Sequence, residues 1–248
     1  MFIGIALFPG RRLITFAMLD ARLKILRLDK IDLTSLIESI RELPSAVCGI
    51  GAPVAPGKRL MADPGYRLRL GIEPRVSAYD NYRVCEYELR RRKIALSNTP
   101  ASADLAPRWM QEGWRLYDAL RQDGYVEYPR TGARRMFETF PQAGFTALIK
   151  KKPYPKSGVE GLLQRQLILY QEGIDVPDPM TTLEEWTRHR IMVGEISRRN
   201  LYDHYQLDAI MAAYVAFKVD REPDQVLAVG DPLEGQIVVP VRELLESY

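Results

Sequence analysis

Three short strand-like runs begin the chain, 2–8, 12–19 and 22–28, broken at Pro9-Gly10 and Asp20-Ala21. Such runs, separated by turn signals, predict an antiparallel meander. Asp32 is placed to cap a helix over 33–43, in which Leu33, Leu36, Ile37, Ile40 and Leu43 fall on one face. Pro44 ends that helix, and AVCGIGAP at 46–53 reads as a buried strand stopped by Pro53. Three antiparallel strands, a crossover helix and a further strand define an α/β chain with a mixed sheet.

From 53 to about 130 the pattern loosens into a long insertion rich in proline, glycine and arginine. ELRRRKIAL and DLAPRWMQEGWRLYDALRQDG are its two expected ordered pieces. The second is helical by spacing, with Trp109, Leu116, Tyr117 and Leu120 on one side. A long excursion inside one domain is usually functional or covers a site. Regular structure resumes with a strand at 134–141 and a helix at 142–149. Helices are expected at 158–172, 181–193 and 205–219, and a closing hairpin from 226–231 and 235–241 through Pro232-Leu233-Glu234. No repeat or low-complexity tract breaks the chain, which is expected to form a single domain over 1–248.

A chain that is 46% hydrophobic and 27% charged, with net charge +3, carries no bulk field toward nucleic acid or membrane, so local patches matter more than the sum. No apolar run is long enough to span a bilayer and no basic, then apolar, leader opens the chain, so a cytoplasmic protein with no membrane partner is expected. Cys48 and Cys85 are expected as reduced thiols. Together with His189 and His204 they are too dispersed for structural zinc.

Two carboxylates stand out. In DHYQLDAIMAAYVAFK, Asp208 shares a helical stripe with Ala212, Val215 and Val219, and Ala209, Ala212, Ala213 and Ala216 allow close packing on a sheet. Near a helix start the dipole favours an ionised acid; the other reading of the spacing is an Asp208 that merely caps or decorates the first turn. In Met136-Phe137-Glu138-Thr139-Phe140, alternation puts Glu138 between large apolar neighbours. It is either paired, metal-bound or at a strand tip, or it faces solvent on an edge strand. Basic clusters at Arg90-Arg91-Arg92-Lys93, Arg134-Arg135, Lys150–Lys152 with Lys156, and Arg198-Arg199 could meet phosphates or form solvated faces. Phosphate-loop, nucleophile-elbow and zinc-protease motifs are absent.

FIGIALFPG, GIGAP, RVCEYELRRRKI, FETFP, KKKPYPK, EGLLQRQL, HYQLDAIMAAYVAF and AVGDPLEGQIVVP are spread over nearly the whole chain. Together they resemble the domain of unknown function family 429, whose members look like nucleases of ribonuclease H-like fold. The resemblance implies a mixed sheet of that fold and Mg²⁺ or Mn²⁺ held by acids, with Glu138 and Asp208 as metal-binding, catalytic positions. It also implies nucleic acid held by Arg90, Arg91, Arg92, Lys93, Lys156 and Arg165. Two further acids expected from the family are replaced by Ala6 and Gly51, neither of which offers a side-chain ligand. The expectation is therefore an impaired metal-dependent nuclease. The alternatives are a non-catalytic nucleic-acid-binding or regulatory scaffold and, less favoured, a small-molecule phosphate or nucleotide enzyme.

Overall fold

The computed structural model describes residues 1–10, 12–72, 79–195 and 197–248; the part of the insertion at 73–78 lies outside them. The predicted meander is present as β1 (Phe2–Ala6), β2 (Ile14–Leu19) and β3 (Ile25–Ile31), with antiparallel pairing throughout. The third strand starts later than its apolar run because Asp20 closes the turn, its Oδ1 accepting from the Arg22 and Lys24 amides at 2.7 and 3.0 Å. Asp32 caps α1 (Leu33–Arg41) as expected, accepting from the Thr34 and Ser35 amides. The helix returns the chain to β4 (Ala46–Ile50), parallel to β1.

The insertion carries α2 (Pro64–Arg69), α3 (Val84–Arg91), α4 (Arg108–Gln122) and the short β5 (Val126–Glu127). Leu116, Tyr117 and Leu120 of α4 are buried as their spacing predicts. Then follow β6 (Arg134–Thr139), α5 (Pro141–Ile149) and α6 (Val159–Gln171). The single helix expected at 181–193 is two, α7 (Met180–Glu184) and α8 (Arg188–Met192). Thr187 adopts extended backbone between them and its side chain accepts from the Arg190 amide, so a fresh N-cap interrupts the periodicity. The chain ends with α9 (His204–Arg221) and the predicted hairpin of β7 (Leu227–Val229) and β8 (Ile237–Val239).

The mixed sheet has eight strands among the described residues, in the order β3-β2-β1-β4-β6-β8-β7, with β5 beside β6. β4, β6 and β8 run parallel to their inner neighbours. Alternation sends Phe2, Ala6, Val47 and Phe137 to the face covered by α9, while Ile3, Ile5, Cys48 and Met136 face the layer of α1 and α4. Helix α9 is buried without interruption from Leu207 to Ala216. Its alanines lie against paired glycines: a Cβ on Gly4 would come 1.9 Å from the Ala209 carbonyl oxygen, and one on Gly49 would come 2.5 Å from that of Ala212. Helix and strand backbones thus touch without intervening side chains. That contact fixes the start of α9 over the ends of β1 and β4. Among the described residues no helix is long and apolar enough to cross a membrane.

Candidate functional site

Parallel strands β1, β4 and β6 end on one edge of the sheet, and there a cavity of about 340 Å³ opens. Ala6 and Gly51 line it from the ends of β1 and β4, Glu138 from the end of β6, and Asp208 from the first turns of α9. The four positions assembled from separate stretches of sequence therefore meet around one space. Phe8, Trp109, Phe140 and Pro53 add apolar wall, and Lys156 reaches in from the loop before α6. Mostly apolar walls with a few convergent polar groups are the usual make-up of a ligand site.

Glu138 does not face solvent. β6 lies between β4 and β8, so the edge-strand reading is excluded, and the residue is only 5% exposed. Burying a carboxylate requires partners. Arg83 supplies a two-pronged one: Nη2 donates to Oε1 at 2.6 Å and Nη1 to Oε2 at 2.8 Å. The Val54 amide gives the carboxylate its third donor, to Oε2 at 2.9 Å. Arg83 itself is 1% exposed and its Nε donates to Glu86 at 2.9 Å. Burial works against the charge of this guanidinium, but the adjoining Glu138 and Glu86 carboxylates hold its pKa well above the ordinary value.

The same logic organises the insertion. Buried Glu86 also accepts from the Arg83 amide, the Thr99 amide and the Thr99 hydroxyl. Buried Glu234, in the turn between β7 and β8, accepts from the Leu60 and Val84 amides at 3.1 and 3.2 Å. Three carboxylates thus satisfy backbone donors that the irregular segment would otherwise leave unpaired, and they tie it over the sheet edge. Sequence reasoning missed Arg83, Glu86, Thr99 and Glu234. The one legible signal was the Arg83-x-x-Glu86 spacing, which the structure resolves as a capping pair at the start of α3.

Asp208 is 6% exposed, with the Lys156 ammonium 3.4 Å from Oδ2. The dipole argument predicted a readily ionised acid. Burial instead raises its pKa, against the opposing pull of Lys156 and Arg165. The cap role belongs to Asp203, which accepts from the Tyr205 and Gln206 amides.

The basic residues divide. Lys156 lines the cavity. Arg165 is buried in α6, donating to the Tyr154 and Gly161 carbonyls and to Gln142, so it positions that loop. Arg90, Arg91, Arg92 and Lys93 sit at the far end of α3 and do not line the cavity. Arg90 donates to the Leu96 carbonyl at 2.8 Å and lies over the Tyr82 ring, while Arg91 and Arg92 pair with Glu88.

These donors do not fit a two-metal site. Among the described residues no three histidine, cysteine or acidic side chains gather to hold an ion. Both Glu138 oxygens already accept from Arg83, and Oε2 accepts from the Val54 amide as well. A hard divalent ion needs several oxygen ligands, and here each acid already has a cation of its own chain.

A family profile described as "Protein of unknown function (DUF429)" matches residues 13–234. No curated protein and no solved structure matches the chain.

Proposed function

The chain belongs to the DUF429 family, and from that premise and the chemistry of its cavity we propose a nucleic-acid-binding protein on a ribonuclease H-like scaffold that has lost metal-dependent hydrolysis. The observation that carries this reading is the internal neutralisation of both surviving acids: Arg83 grips Glu138, and Lys156 stands against Asp208. Ala6 and Gly51 leave the remaining corners without side-chain ligands. The meander, the crossover helix and the parallel β4 and β6 support the scaffold assignment. A family ancestor with acids at all four positions would have the ingredients of phosphodiester hydrolysis. Here the same edge retains a shaped cavity with a cation at its mouth and no open ligand set.

The test pairs binding with cleavage. Single-stranded and duplex DNA and RNA are titrated at low salt with and without a chelator, then incubated with Mg²⁺ or Mn²⁺. The reading expects salt-dependent binding that the chelator leaves unchanged, and no cleavage. Cleavage that Glu138→Gln abolishes would overturn the loss of hydrolysis; absence of binding to every substrate would overturn the nucleic-acid assignment. The Ala6→Asp, Gly51→Asp double variant probes the ancestry. Position 51 admits a side chain with slight adjustment, since its Cβ would meet the Ile5 carbonyl oxygen at 3.2 Å.

A further inference from the structure

Beside the cavity lies a second groove, of about 340 Å³, lined by Phe8, Gly10, Arg12, Thr15, Lys30 and Tyr205. Phe8 belongs to both spaces, so its half-buried ring is the partition between them. The partition is held from the groove side by Tyr205, whose ring meets Phe8 edge-on with centroids 4.3 Å apart. On the other side the Lys156 ammonium stands 5.2 Å from the Phe8 centroid. Lys30 similarly lies 5.7 Å from the Tyr205 centroid. Aromatic rings and cations thus meet on both sides of Phe8.

We propose that the cavity and the groove form a two-nucleotide track for single-stranded nucleic acid, with one base on each side of Phe8 and the phosphates along Arg12, Lys30 and Lys156. The inference rests on the nucleic-acid reading above and names the form of nucleic acid that the site takes. Charge sets the polarity of binding. In the cavity Arg83 already engages Glu86 and Glu138, which leaves Asp208 beside Lys156 as the carboxylate that takes a base N–H and disfavours a phosphate there. In the groove Lys30 pairs with Asp203 at 2.6 Å, and the exposed Arg12 adds the positive charge that suits the backbone. Lys156 is 45% exposed and its ammonium has three N–H donors, so it meets the adjoining phosphate while still beside Asp208. A paired duplex offers no unstacked base to either space, so the track excludes it.

Fluorescence anisotropy of labelled oligothymidylate of about ten nucleotides, with a blunt duplex of equal length beside it, tests the proposal. Phe8→Leu keeps apolar volume and removes the stacking ring; it is expected to weaken single-strand binding about tenfold. Arg12 is exposed, so Arg12→Ser leaves the fold alone; it should make the salt slope shallower by about 0.7. Circular dichroism melts establish that both variants fold. Single-strand binding unchanged by both substitutions, or duplex bound as tightly as single strand, overturns the track while leaving the nucleic-acid reading in place. Failure of the unsubstituted protein to bind any strand overturns that reading and the track with it.

Discussion

Replacing Arg83 by methionine is the sharpest perturbation of the site. The substitution keeps an unbranched apolar stem and removes a guanidinium on which two buried carboxylates depend. Glu86 retains three donors, from the Arg83 amide and from the Thr99 amide and hydroxyl. Glu138 retains only the Val54 amide, so the loss falls on it. Stranding one member of a buried ion pair costs about 3–5 kcal/mol. For a chain of this size that corresponds to a Tm lowered by roughly 10 °C. The assay is urea unfolding at neutral pH, read as a lower midpoint at constant m-value. Adding Glu138→Gln to Arg83→Met removes the stranded charge and should recover half of the loss or more, whereas additive losses are expected of independent sites. A loss below about 1 kcal/mol for Arg83→Met, or no recovery in the double variant, would refute the claim that Arg83 exists to neutralise Glu138.

Asp208→Asn should stabilise the protein at neutral pH, with the gain shrinking as pH falls. The native pKa of Asp208 is raised by burial above its unfolded value, so folding favours the protonated form and wild-type stability falls as pH rises through the native pKa. Thermal melts of both proteins from mildly acidic to mildly alkaline pH check the sign; a gap that widens toward acid would contradict it. Gly4→Ala should cost about 3 kcal/mol or more, because the added methyl meets the α9 backbone rather than a flexible side chain. Chemical denaturation measures it, and Gly10→Ala, with open space around its Cβ but a positive φ of 72°, should cost only about 1 kcal/mol. Asp32→Ala should lower the denaturation midpoint through the lost cap of α1, measured in the same way.

Local chemistry made most of the fold legible in the sequence. The meander, the Asp32-capped helix, the returning strand and the terminal hairpin follow from period, turn residues and caps, all of which act over a few residues. The alanines of α9 announced close packing, but Gly4 lies 205 positions before Ala209 and Gly49 163 before Ala212, and only the fold pairs them. The break between α7 and α8 was hidden because a threonine can continue a helix or cap a new one, and the surroundings decide.

The site divides along the same line. Residue chemistry alone established that position 6 and position 51 offer no side-chain ligand, and that Glu138 and Asp208 are acids in apolar surroundings. Only tertiary structure decided how those acids are countered. Arg83 reaches Glu138 across 55 positions and Lys156 reaches Asp208 across 52, distances over which no sequence period operates. A buried charge must find its counterion in space, and the folding of the insertion over the sheet edge determines which cation arrives.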